Sequence, residues 1–145
     1  MKMKLREKFH AFCHWNDIEN LTRAGRLGRV GTINRLLRRS VDVNAKNGFD
    51  WTALQYAVSC GQTNAVKALL AAGANPNIVC GNSTALDITE PAYSKKVDPK
   101  KNAECRELLT AAGAKHGDSF LSMEKLFAYY HRVNNHPKNN CPCVS

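Results

Sequence analysis

Apolar residues in the middle of the chain recur at helical rather than strand spacing. Within residues 52–77, TALQYAVSCGQTNAVKALLAAGANPN, Leu54, Ala57 and Val58 fall three and four apart and share one helix face. Gly61 interrupts the pattern, Val66, Leu69 and Leu70 form a second stripe, and Gly73 follows it. A residue just past a helix end often turns left-handed, and glycine does so at least cost. Thr52 stands where a side-chain oxygen can accept from the exposed N–H groups of a helix start. Helices this short are marginal alone in water. The unit therefore has to lean on neighbours.

Copies of the pattern lie on both sides. Upstream, Leu21, Ala24 and Gly28 stand 33 residues before Leu54, Ala57 and Gly61, and Ser40 stands 33 before Gly73. Ile33, Leu36 and Leu37 occupy the places of Val66, Leu69 and Leu70. Downstream, Thr84-Ala85-Leu86 repeats Thr52-Ala53-Leu54 after 32 residues, and the AAGA of 111–114 repeats that of 71–74. A period near 33 with a helix–turn–helix unit is the ankyrin value. Over residues 17–115 the chain resembles the ankyrin-repeat family. Thr52-Ala53-Leu54-Gln55 is similar to that family's Thr-Pro-Leu-His start, and VKALLAAGA at 66–74 to its second helix. Asp42-Val43-Asn44-Ala45 resembles the start of its connecting hairpin. The stretch 41–55 is also similar to the cyclin-dependent-kinase-inhibitor branch of the family, a likeness the later repeats do not continue.

The resemblance implies an all-α repeat solenoid of stacked helix pairs with short β-hairpin fingers. Repeats are expected at 17–46, 47–79 and 80–115, the last carrying an insertion at 90–101. From Thr84 to Gly113 this repeat is eight residues longer than the stretch from Thr52 to Gly73. Pro91 should stop its first helix, because proline lacks the N–H that the helix needs. A second helix is expected near 103–112. A repeat stack leaves its end faces bare, so covering helices are expected. Residues 1–16 supply one, with Leu5, Phe9 and Phe12 on a single side, and 116–133 supply another, with Phe120, Met123, Phe127 and Tyr130 in a stripe. A membrane-surface helix is the alternative for the first. The tail 134–145 has the composition of a disordered segment.

Charge changes the picture at one end. The formal net charge is +9, and residues 1–40 hold ten Lys or Arg against three acids. Such polarity speaks of partners rather than of fold. In the family register Arg23 and Arg26 fall on the first helix, toward the concave side where ankyrin proteins bind. Arg38 and Arg39 end the second helix, where cations also suit the helix dipole. The first finger, NAKNGFDW at 44–51, has a turn signal in Asn47-Gly48, since both residues tolerate positive φ. The resemblance puts Phe49 and Trp51 at finger positions that face solvent or a partner; folding of one onto the next finger is the alternative. Asp50 stands where the family has glycine. The insertion is made positive by Lys95, Lys96, Lys100 and Lys101 with Tyr93 at its base, which reads as a binding loop or as a mobile solvated one.

The expected function is a non-catalytic protein-binding module acting as adaptor, inhibitor or effector, with partner-binding candidates Arg23, Arg26, Phe49, Trp51, Ser59 and Tyr93. A partner protein with an acidic patch fits them. Nucleic acid or an anionic surface, held by the basic first third, is the alternative. No phosphate-binding glycine signature is present; Gly25, Gly28 and Gly31 are read as an interhelix turn. No cofactor is expected. His131, His136, Cys141 and Cys143 are the candidate zinc ligands, although Cys-x-Cys is tighter than usual structural spacing. His10, Cys13 and His14 form a smaller cluster without a fourth ligand nearby. The six cysteines show no disulfide framework and suit free thiols in a reducing compartment. No apolar run reaches transmembrane length. The chain is expected to be cytoplasmic, or exported by a non-classical route if it is a bacterial effector.

Overall fold

A computed structural model describes residues 5–91, 93–94 and 96–117, with the backbone alone for residues 5–12 and 14. Of the expected closing helix over 116–133 only residues 116 and 117 are described; the rest of it, the tail and the zinc candidates His131, His136, Cys141 and Cys143 lie outside these residues. The order is α1 (Leu5–Arg26), α2 (Val30–Arg38), α3 (Ala53–Ser59), α4 (Thr63–Ala71), α5 (Ala85–Ile88) and α6 (Pro99–Ala111). Helices pair as α1–α2, α3–α4 and α5–α6. The first helices of the pairs stack as one row, α1 on α3 on α5, and the second helices as another, α2 on α4 on α6. This is an all-α ankyrin-type stack.

The core explains the repeat spacing. Leu21, Leu54 and Leu86 are buried in one apolar interior with Ile33, Val66, Leu69, Cys105 and Leu109. Each fully buried leucine or isoleucine contributes about 1.5–3 kcal/mol relative to leaving it in water. Equivalent residues of successive repeats therefore supply the interior that no single pair possesses.

The starts of α3 and α5 are fixed by the same device. Thr52 Oγ1 accepts from the N–H of Gln55 while Gln55 Oε1 accepts from the N–H of Thr52. Thr84 and Asp87 repeat the exchange. The partner residue then reaches forward. Gln55 Nε2 donates to the carbonyls of Ile78 and Ser83 in the next finger, and Asp87 accepts from the N–H of Gly117. Each helix start thus grips the connection that follows it.

The fingers are tied sideways as well. Asn44 Oδ1 accepts from the N–H of Asn75 at 2.8 Å, and Lys46 Nζ donates to the carbonyl of Val79 at 3.0 Å. Among the described residues the fingers hold single antiparallel bridges, Lys46 to Thr52 and Cys80 to Ser83, rather than extended hairpin strands.

Several expectations change. The helix of residues 1–16 is not separate: α1 runs unbroken through 16 and 17, so cap and first-repeat helix form one rod. Helix α6 starts at Pro99, four residues before the expected 103, because Asp98 caps it and proline at the first position needs no N–H partner. The insertion therefore ends at Asp98. Two of its described residues are docked: Asn102 Nδ2 donates to Ser94 Oγ as well as to the Thr89 carbonyl, and Val97 sits so close to Gly61 that a Cβ there would lie 2.5 Å from its Cγ1. The three glycines at 25, 28 and 31 are not one turn. Gly28 makes the turn with φ 68°, Gly25 lies inside α1 against α3, and Gly31 has open space beside it in α2. Cys13, Cys80 and Cys105 are free thiols, whereas Cys60 is disulfide-bonded, against the expectation of six free cysteines.

A candidate binding cleft between the first helix and the first finger

The finger of residues 46–52 is built around Asn47. Its N–H donates to the carbonyl of Trp51 at 2.9 Å. Its side-chain oxygen accepts from the N–H groups of Phe49 and Trp51, both at 3.1 Å. Its amide nitrogen donates to the Tyr56 hydroxyl at 3.2 Å. The left-handed residue of this turn is Asp50, with φ 61°, and not Asn47 or Gly48 as the turn signal suggested. Aspartate tolerates that conformation better than most residues, and here its carboxylate is used twice. Oδ1 pairs with Lys46 Nζ at 3.0 Å, and Oδ2 accepts from the N–H of Gly81 in the next finger at 3.3 Å. The Lys46 hydrogen bond, followed by that of Gly81, holds the Asp50 carboxyl below its ordinary value; the same bond raises Lys46.

Helix α1 braces the finger from the other side. Glu19 Oε1 accepts from the N–H of Gly48 at 3.1 Å, and a Cβ on Gly48 would approach the Trp15 ring to 3.3 Å. A side chain at this position would press on the Trp15 ring, which would have to give by a few tenths of an ångström. Between helix and finger lies a cleft of about 650 Å³, lined by Asn16, Glu19, Asn20, Thr22, Arg23, Arg26, Asn47, Phe49, Trp51 and Tyr56.

Four of the six candidate residues, Arg23, Arg26, Phe49 and Trp51, therefore meet around one cavity. They do not present themselves equally. Phe49 is 78% exposed. Trp51 is half-buried, packs on the core, and stacks obliquely on Tyr56 with ring centroids 5.2 Å apart. Its fold-back is onto its own repeat rather than onto the next finger. Arg23 is exposed and Arg26 half-buried. Ser59 is a correction: it is buried, and its hydroxyl donates to the Tyr56 carbonyl at 3.0 Å, so it has no surface to offer. Tyr93 lies half-buried in the insertion and does not line this cleft.

Sequence reasoning missed Tyr56, Glu19 and the full part played by Asn47. Tyr56 carried a weak signal, a large aromatic with a polar tip next to the apolar stripe of α3. Nothing in the sequence pairs Glu19 with Gly48. Among the described residues no group of three or more His, Cys, Asp or Glu is placed to hold a metal ion, and no helix is long and apolar enough to cross a membrane.

Comparison with known proteins agrees with this architecture. Residues 9–70 match the family model described as ankyrin repeats in many copies. The human protein named mitochondrial disaggregase is 43% identical over 58 residues, 40% of this chain and 8% of its own length. Ankyrin repeat domain-containing protein SAT10 of Stachybotrys chartarum is 34% identical over 84 residues, 57% of this chain and 4% of its own. The ankyrin repeat, SAM and basic leucine zipper domain-containing protein 1 of Carollia perspicillata is 29% identical over 106 residues, 63% of this chain and 22% of its own. The chain thus spans less than a quarter of each of these three relatives.

Proposed function

Through residues 9–70 this chain belongs to the ankyrin-repeat family, and from that premise we propose that it is a non-catalytic module that binds another protein in the cleft between α1 and the first finger. The carrying observation is the meeting of Arg23 and Arg26 with Phe49, Trp51 and Tyr56 around one cavity, with Phe49 largely in solvent. An exposed aromatic on a braced loop supplies contact area at small cost in conformational entropy, the property of interface hot spots. The arginines beside it match an acidic patch on the partner, since a guanidinium can grip a carboxylate with two parallel hydrogen bonds. Adaptor, inhibitor and effector roles all use this chemistry, and the partner decides among them.

The test is affinity capture followed by mass spectrometry, comparing the natural chain with Phe49→Ala/Arg23→Gln. Trp51 is left intact, because truncating a ring packed on the core would confuse lost binding with lost folding. A partner held by the natural chain and released by the double variant is the expected result. Equal recovery of the same partner would remove the cleft from consideration.

A further inference from the structure

The cleft does not exhaust the basic end of the molecule. A second groove, of about 460 Å³, runs between α1 and α2 and is lined by Asp17, Arg23, Arg29, Arg35 and Arg39 over a floor that includes Ala24 and Leu36. All four arginines are exposed. Among the described residues Arg23, Arg29 and Arg35 form no ion pair, while Arg39 Nη1 lies 3.3 Å from Asp17 Oδ1. Asp17 offsets one of four guanidinium charges, and the remainder are unbalanced. Arg23 lines both cavities, so the groove continues the cleft.

We infer that this groove is a second subsite, for an extended acidic segment of a protein, with carboxylates at alternate positions. The inference deepens the cleft reading, in that it supplies the path by which the same partner would leave the cleft. Two observations and one rule of strand geometry carry it. The carboxylate of Asp17 pairs with Arg39 in the groove, the kind of contact a second carboxylate would make with the unpaired arginines. Arg35 and Arg39 are one helical turn apart, so their Cβ atoms are separated by about 5–6 Å. Alternate residues of an extended strand repeat at about 6.6 Å on one side, so a Glu-x-Glu segment reaches both.

Nucleic acid fits less well. A single strand is held by successive bases stacked on aromatic platforms. Along this path Phe49 stands free, while Trp51 is occupied by Tyr56, so the described residues offer no succession of free aromatic platforms.

The test uses the full chain and three fluorescent probes of about ten units, lengths chosen to span a groove at roughly 3.3 Å per extended residue. These are an alternating Glu-Ser peptide, its Gln-Ser counterpart and a single-stranded DNA. Binding is followed by anisotropy at low salt. The Glu-Ser peptide should bind and the Gln-Ser peptide should not. Arg29→Gln/Arg35→Gln should weaken binding roughly tenfold, within the range of about twofold to thirtyfold that two exposed ion pairs allow. Lys67→Gln/Lys100→Gln removes the same charge outside the groove and should change nothing. The capture experiment reads the cleft through Phe49 and this one reads the groove through Arg29 and Arg35, so a failed cleft reading and a failed groove are told apart. All variants change exposed side chains, and thermal melts check that they fold. Equal weakening by the arginine and lysine variants would reduce the effect to net charge and overturn the inference. So would an arginine variant that binds like the natural chain, or DNA that displaces the peptide at equal concentration.

Discussion

Replacing Gly25 by alanine sets two physical effects against each other in a place where the structure says which wins. Inside an exposed helix, glycine to alanine stabilises by about 0.5–1 kcal/mol, because glycine loses more backbone freedom on folding. Gly25 is buried in α1 where that helix crosses α3. A Cβ there would stand 2.6 Å from the carbonyl oxygen of Ala53, 3.3 Å from its carbonyl carbon and 3.5 Å from its Cα. All three are backbone atoms, so no rotamer change makes room, and the two helices must separate. Extra methyl volume in a packed site costs typically about 1–3 kcal/mol. Net destabilisation should be about 1–2 kcal/mol after the helix gain is subtracted, a fall in melting temperature on the order of 3–10 °C for a domain of this size. Gly31→Ala is the matched control, in α2 with nothing within 4 Å of the added atom. It should raise the melting point. Thermal and urea melts followed by helix circular dichroism measure both. If the two variants moved stability in the same direction, the close crossing of α1 and α3 would be wrong. The cleft would then lose its frame, because α1 carries Arg23 and Arg26 while α3 carries Tyr56.

Other outcomes follow from single residues. Ser40 adopts φ 60° where its counterpart Gly73 adopts 87°, so Ser40→Gly should stabilise by about 0.5–1 kcal/mol, the cost of a left-handed turn at a residue with a side chain set against glycine's entropy; an unchanged urea midpoint would contradict this. Burial, with Glu104 adding to it, pushes the Cys105 thiol up to about 11, so alkylation of the native chain at about pH 8, where a thiolate is the reacting form, should label Cys13 well before Cys105. Prompt labelling of Cys105 would mean that α6 does not pack as described. Asp50 is held below its ordinary 3.8, so the finger stabilisation it provides is complete above that value and is lost as pH falls through the lower folded value. Lys46 has the opposite sign: its contribution is complete below 10.5 and is lost as pH rises through its raised value. NMR titration of the Gly81 amide should show the acid step below 3.8; a midpoint at 3.8 would refute the link between fingers.

Sequence periodicity carried the stack because burial repeats with the helix. Leu21, Leu54 and Leu86 could be aligned by counting alone, and they share one interior. The capping boxes were half visible, in that Thr52 and Thr84 head their helices, but the forward reach of Gln55 and Asp87 joins residues 23 to 30 positions apart. No local pattern encodes such contacts. Arg23 and Arg26 could be placed by register, since the face of a helix follows from its phase. Ser59 shows where register fails: its side belongs to α3, yet its hydroxyl turns back to its own backbone. Phe49 and Trp51 looked alike in the sequence and differ in the structure, because only the ring of Trp51 finds Tyr56. The start of α6 was legible in Asp98-Pro99, a pair whose meaning depends on whether the chain before it is loop or helix.

The carboxylate of Asp50, shared between its own loop and Gly81, makes neighbours of places far apart in the chain. Whatever steadies Phe49 from outside must also steady residues 78–83, and through Gln55 the start of α3. Coupling of this kind is reciprocal. A chain shortened after residue 79 would hold its ligand more loosely, and a bound ligand would in turn slow hydrogen exchange across residues 78–83.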